Sequence, residues 1–259
     1  MDWMAYDVAL LHTASRFDLS DRAGRAASAL WLRNLFLSTV SALNVRLVLE
    51  LGAAEAGFSR QVRPLVPKAV VHALEANPYV HRKHRKEVEA ADVRYHNLAV
   101  GGRTGRATFN VGRRKSGENL SPTKTNNSIL TKIGDRDYEG VDVPMTTVDD
   151  FVAEQALVQL PCAMWVDVEG LAFDVLSGAF RTLPDTLALM VEVEDRPFWE
   201  GQVLSSEVKV LLSNAGFVPI ARDFEYSGQY NMLFVARERM QDIYLRMILE
   251  LAFAAKPPS

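Results

Sequence analysis

Apolar residues recur along this chain in two rhythms. Leu32, Phe36, Val40 and Leu43 are spaced by three and four, which predicts a helix with one buried face, and Asp21 is placed to cap its start. Short apolar runs then alternate with helical stretches. Val45–Leu51 reads as a buried strand ended by Gly52, and Ala69–Glu75 as a second. A polar helix over Tyr79–Ala90 leads to a third strand, Val93–Asn97. Ala107–Val111 is a short strand between glycines, and Val148–Leu157 is helical. Ala163–Val168 and Leu187–Val193 are further buried strands, separated by a helix over Phe173–Phe180. A helix over Glu207–Asn214, capped by Gly216, precedes a closing strand pair, Phe217–Ile220 and Met232–Val235, and a last helix over Arg237–Ala255. Strand–helix–strand alternation of this kind predicts an α/β fold built on a parallel sheet. Only Ser116–Asp137 breaks the rhythm. It is rich in Asn, Ser, Thr and Gly, and is expected to be a functional loop.

The chain has 259 residues, enough for one large domain. No internal repeat or linker divides it. The expected organisation is a helical extension over 1–44, a main domain over 45–236 and a C-terminal helix over 237–259. Hydrophobic residues at 48% and charged residues at 24% are ordinary for a globular protein and exclude a mainly disordered chain. The lone Cys162 excludes an intramolecular disulfide and a cysteine-rich zinc site. It is read as a buried thiol. Met1–Phe17 carries Asp2 and Asp7 where a leader would carry Lys or Arg, and no apolar run is long enough for a membrane span, so the expected location is the cytoplasm.

Net charge is −3, but unevenly spread: Arg60–Lys115 holds 13 basic and 4 acidic residues. A basic face able to attract an anionic acceptor is one reading of His81-Arg82-Lys83-His84-Arg85-Lys86; a solvated helix face is the plainer one. No aromatic-rich nucleic-acid module accompanies the run, which leaves RNA a minor alternative. His12, His72 and His96 are scattered and read as structural.

Chemistry concentrates at strand ends. The first strand runs into Glu50-Leu51-Gly52-Ala53-Ala54, a small-residue turn that lets backbone approach a ligand. Glu75 ends the second strand, where a carboxylate can accept from both ribose hydroxyls of a nucleoside. A dinucleotide needs G-x-G-x-x-G, and here Ala54 replaces the middle glycine. S-adenosylmethionine has no phosphate and tolerates that alanine.

Several segments in order resemble the FkbM family of S-adenosylmethionine-dependent O-methyltransferases. Leu49-Glu50-Leu51-Gly52-Ala53-Ala54 is similar to that family's D-V-G-A-N turn, and Glu75-Ala76-Asn77-Pro78 to its E-P-N-P. Asn97-Leu98-Ala99 with the following Gly105–Phe109 resembles its N-x-A-L stretch and hairpin. Asn127-Ser128 resembles its serine loop, and Thr146-Thr147-Val148-Asp149-Asp150 its T-L-D-D segment. Most specific is Val166-Asp167-Val168-Glu169-Gly170, which resembles I-D-V-E-G. The resemblance implies a class I methyltransferase (Rossmann-like) fold, with a seven-stranded, mostly parallel sheet, helices on both faces and helical extensions at both ends. It implies that Glu50, Gly52, Ala53 and Ala54 hold the methionine part of the cofactor. Glu75 and Ala76 would hold its ribose, Asn97 and Leu98 would border its adenine, and Asp167 would stand where cofactor and acceptor meet. Trp165 stands where a Lys commonly precedes that aspartate by two residues, and Glu194 where the fifth strand often ends in His.

The implied reaction is methylation of a sugar hydroxyl of a glycan or glycosylated small molecule. Such a hydroxyl needs a base or a metal to remove its proton. Asp167, Glu192 and Glu169 are the candidate catalytic residues, and Asp167 with Glu192 can also hold Mg²⁺. Asn127, Ser128 and Arg113 are candidates for binding the acceptor. Two other readings are a catalytically silent cofactor-binding partner protein and a nicotinamide-dependent oxidoreductase.

Overall fold

A computed structural model of the chain describes residues 10–11, 13–124, 126–134 and 136–254. The charge pattern of residues 1–9, His12 and the end of the closing helix at Ala255 lie outside them. Eleven strands and seven α-helices follow in chain order among the described residues from Arg22 on: α1 (Arg22–Ala42), β1 (Leu47–Leu51), α2 (Gly57–Val62), β2 (Val70–Glu75), α3 (Pro78–Ala90), β3 (Arg94–Asn97), β4 (Ala99–Val100), β5 (Gly105–Lys115), β6 (Glu118–Asn119), β7 (Arg136–Thr146), α4 (Val148–Glu154), β8 (Cys162–Val166), α5 (Ala172–Ser177), β9 (Thr186–Glu194), α6 (Ser205–Asn214), β10 (Phe217–Arg222), β11 (Gln229–Ala236) and α7 (Ile243–Ala254).

Seven of the strands form one sheet in the order β3-β2-β1-β8-β9-β11-β10. The pairs β3–β2, β2–β1, β1–β8 and β8–β9 are parallel, and β11 runs antiparallel to both neighbours. This is the class I methyltransferase, Rossmann-like arrangement. The strand order reverses between β1 and β8, which places a ligand crevice outside the carboxyl ends of these strands.

Strand alternation sends side chains to two cores. Val48, Val71, Ala73, Ala163 and Met190 point to one face and pack with Leu32, Phe36 and Val40 of α1, Phe58 and Val62 of α2, and Leu245 of α7. Leu49, Leu51, Leu74, Met164, Val166 and Val191 point to the other, against Phe151 of α4, Val175 of α5 and Val208 of α6. Both faces are covered, so the parallel strands are apolar on both sides. Asp21 caps α1, its carboxylate accepting from the amides of Ala23 and Gly24.

The structure differs from the pattern in two places. A second sheet, β4-β7-β5-β6, occupies the middle of the chain, with the long β5–β7 hairpin around Phe109, Val111, Val143 and Met145. The expected loop is shorter than its polar composition predicts, because its end is the start of β7. The closing helix is also interrupted: Arg237–Gln241 is a 3₁₀ turn, and α7 begins at Ile243. Among the described residues no helix is long and apolar enough to cross a membrane.

Candidate active site

A cleft of about 760 Å³ opens at the carboxyl ends of β1, β2, β8 and β9. Its wall begins at Gly52, which adopts φ +80°. A Cβ there would lie 1.9 Å from the Asp167 carbonyl oxygen, so only glycine lets the β1 turn close on the end of β8. Ala54 and Ala56 also sit in the left-handed region, at φ 46° and 54°, a conformation that costs an L-residue about 1–2 kcal/mol.

Two buried carboxylates fix this turn. Glu75 accepts from the amides of Ala54 at 2.7 Å and Asn77 at 2.6 Å. Glu50 accepts from the amides of Phe58 at 3.2 Å and Ser59 at 2.7 Å, the first turn of α2. Burial pushes both acids up to about 7, against the opposing pull of these hydrogen bonds. Glu75 lines the cleft and keeps lone pairs for a ligand. Glu50 does not line it; its oxygens face the first turn of α2. Ala53 and Asn97 are likewise absent from the lining. Asn97 Nδ2 donates to the carbonyls of Glu75 at 2.9 Å and Ala76 at 3.0 Å, bracing the β2 end from behind. Gly52, Ala54, Ala76 and Leu98 line the cleft, with Val100 and Phe109 beside them.

Asp167, Glu169 and Glu192 come together on the opposite wall, with Asp223 at the end of β10. Burial pushes Asp167 up to about 6, partly offset by its hydrogen-bond interaction with Glu192. Burial and the charges of Asp167 and Glu169 hold Glu192 well above the carboxylate range. Gln229 Nε2 donates to Glu192 Oε1 at 2.9 Å. Burial also raises Glu169 to about 8 and Glu194 to about 7, with Lys132 acting against both shifts. Glu169 sits at φ 31°, a strained non-glycine conformation of the kind that clusters at working sites. One of its carboxylate oxygens is buried without a hydrogen-bond partner.

Among the described residues no group of three or more His, Cys, Asp or Glu side chains is placed to hold a metal.

The loop before β7 is ordered by its own polar side chains. Ser128 Oγ donates to the Glu169 carbonyl at 2.7 Å. Asn127 Oδ1 accepts from the Gly112 amide at 2.7 Å, while its Nδ2 donates to the Lys124 carbonyl at 2.6 Å. Both residues line the cleft, but these groups fasten the loop. Arg113 lies outside the lining, paired with Glu139 and 5.1 Å from the Tyr79 ring centroid. Of the basic Arg60–Lys115 segment, Arg60 pairs with Glu87 and Arg106 with Asp142, outside the lining. Lys132 Nζ donates to Asn126 Oδ1 at 2.7 Å.

Sequence reasoning did not find the contributions of α1 and of the β10–β11 loop. Arg33 and Leu30 line the cleft from α1, and Asp223, Glu225, Tyr226, Gln229 and Asn231 line it from that loop and β11. These residues lie far along the chain from the Gly52 turn and carry no local motif. His72 and His96 stack at a 5.2 Å centroid distance away from the cleft, and Cys162 is buried in the sheet.

A model described as the methyltransferase FkbM domain matches residues 52–219. The 2-O-methyltransferase NoeI of Sinorhizobium fredii is 25% identical over 162 residues, covering 60% of this chain and 66% of NoeI, just under two thirds of that protein's length. Among solved structures, a methyltransferase FkbM from Methylobacillus flagellatus aligns with a TM-score of 0.48 and 12% identity, over 74% of this chain and 44% of that one. A precorrin-6y C5,15-methyltransferase from Geobacter metallireducens aligns with a TM-score of 0.42 and 12% identity, over 78% of this chain and 86% of that one. Likenesses this distant do not bear on function.

Proposed function

The chain belongs to the FkbM methyltransferase family, and from that premise we propose that its cleft binds S-adenosylmethionine and directs its methyl group to a hydroxyl of a sugar. The observation that carries this reading is the make-up of the cleft. Its lining includes Glu55, Glu75, Asp167, Glu169, Glu192, Asp223 and Glu225, against Arg33 as the lone Lys or Arg. A surface so rich in acids, several of them raised towards neutrality by burial, offers acceptors to an ammonium and a sulfonium and only one cation to a phosphate. The donors a pyrophosphate would need are also taken: the Ala54 amide by Glu75, and the first amides of α2 by Glu50. These features weigh against a nicotinamide dinucleotide. Glu75 is placed for the ribose, with Leu98 and Phe109 offering apolar surface for the base.

When bound, the cofactor supplies a methyl group on a positively charged sulfur. The chain must then align an acceptor oxygen with it and remove that oxygen's proton. Asp167 ends β8 beside the Gly52 turn and is the acid in this reading that accepts the proton. Glu192, whose pKa is raised by burial and by the charges of Asp167 and Glu169, lies beside Asp167 and keeps it oriented. A neutral hydroxyl-bearing acceptor fits this lining better than an anionic one, which would find the same single cation as phosphate; RNA is disfavoured on the same ground. Exposed Tyr226 and Leu30 on the rim give a flat apolar surface on which a sugar ring can rest. The relative named a 2-O-methyltransferase supports an oxygen as the methylated atom.

The test is mass spectrometry of a panel of glycans and glycosylated metabolites incubated with protein and methyl-labelled cofactor. A labelled methyl ether on a sugar supports the reading. Label found only on nitrogen, carbon or nucleic acid would sink it.

A further inference from the structure

We propose that Arg33, on the N-terminal helix and outside the family-matched region, binds the carboxylate of the cofactor's methionine part. The proposal rests on the S-adenosylmethionine reading above. The methionine end carries an ammonium and a carboxylate. The ammonium is well served by the acidic lining, whereas the carboxylate finds only one cation in it. Beside the Gly52–Ala56 turn, two backbone features could otherwise receive that carboxylate. The first is the start of α2, whose Phe58 and Ser59 amides already donate to Glu50. The second is the Ala54 amide, already bonded to Glu75. Arg33 remains.

Its position is suited to the task. The guanidinium lies over the Trp165 ring, with Cζ 5.3 Å from the ring centroid. It also borders the first residue of α2: a Cβ on Gly57 would lie 3.1 Å from Arg33 Nη2. The group therefore stands next to the Gly52–Ala56 turn, at the end of the cleft where the methionine part is expected. Arg33 Nε is buried with no hydrogen-bond partner among the described residues, as are Nε of Arg136, Arg222 and Arg239, and the Arg33 charge acts on buried Glu50, so a donor of this group is open to a water or a ligand. Trp165 in turn packs against Phe58 at 5.0 Å and Phe36 at 6.0 Å, which fixes the plane on which the guanidinium rests. A planar fork of donors matches a carboxylate in two-point geometry. The helix that carries Arg33 is held to the other wall too, since Ser28 Oγ accepts from the Phe224 amide at 3.0 Å. In this account α1 closes the cofactor end of the cleft.

Calorimetric titration of the full chain with S-adenosylmethionine and with its decarboxylated form, which keeps the sulfonium and ammonium, tests the proposal. Wild-type protein should prefer the intact cofactor by about 10- to 100-fold, the range of a hydrogen bond to a charged group. Arg33→Met should lose that preference by weakening the intact cofactor alone, and Arg33→Lys should retain part of it. Equal affinity of wild-type protein for the two ligands overturns the proposal without recourse to any variant. So does a folded Arg33→Met protein, verified by circular dichroism, that keeps the wild-type preference. If wild-type protein binds neither ligand, the cofactor reading itself has failed.

Discussion

The Glu75 carboxylate accepts the backbone amide of Ala54 at 2.7 Å, joining the end of β2 to the turn after β1. One side chain thus sets the shape of the Gly52–Ala56 turn and lines the cleft beside it. The Tyr95 hydroxyl donates to the carbonyl of the same alanine, so Ala54 is gripped on both sides. That grip holds a non-glycine residue at φ 46°.

Relief of this strain should be measurable. Ala54→Gly is expected to raise unfolding free energy by about 1 kcal/mol in denaturant melts, because glycine adopts positive φ without a Cβ clash. Ala54→Val should lower it, since a β-branched side chain is least tolerant of that region.

The proton-accepting role proposed for Asp167 has a pH signature. Activity should rise with pH through about 6 as Asp167 ionises. Glu192→Leu removes the hydrogen bond that draws Asp167 down, so the rise should move to higher pH. Asp167→Asn should lower turnover by about 10²–10⁴-fold while cofactor affinity changes little. An Asp167→Asn protein with near-normal turnover would remove that residue from the chemistry.

Stability should also depend on pH through the buried His72. Burial, with the nearby His96 and Arg94 charges, lowers it to about 3. The unfolded chain therefore binds a proton more readily than the folded one between about 6.5 and 3. Stability present above pH 6.5 is lost as pH falls, by up to about 1.4 kcal/mol per unit for this one group. Glu50 and Glu75, raised to about 7, act in the opposite sense between 4.5 and 7, so wild type must be compared with a variant. Relative to His72→Gln, wild-type protein should lose stability on acidification; a constant difference across that range would contradict the assignment.

The loop fastening can be tested at Ser128. Its hydroxyl donates to the Glu169 carbonyl and accepts from the Leu130 amide at 3.1 Å. Ser128→Ala should cost about 1 kcal/mol and speed hydrogen exchange over residues 126–133, with KM for the acceptor raised more than KM for the cofactor.

The main sheet was legible because its strands are buried on both faces and its turns are marked by glycine. Asp21 was legible as a cap because capping is a local matter of one side chain and two amides. β7 was missed although Val141, Val143 and Met145 alternate as a half-buried strand should; Gly140 and Pro144 interrupt that run with residues that ordinarily mark turns. Asp167 and Glu75 could be read at their strand ends, where the fold brings ligands. Arg33 could not, because its position over Trp165 comes from α1 packing back onto the sheet, a long-range contact with no sequence spacing of its own. Asn127 and Ser128 line the cleft, but their polar groups bond Gly112, Lys124, Leu130 and Glu169, which no sequence spacing shows.

The central claim is that this cleft is a cofactor site for methyl transfer. Its most direct test is calorimetric titration of the purified chain with S-adenosylmethionine. Saturable binding at one site per chain, weakened at least tenfold in Glu75→Ala, is the predicted result. Absence of any binding heat from concentrated, folded protein, at temperatures chosen so that the enthalpy cannot vanish at both, would contradict it.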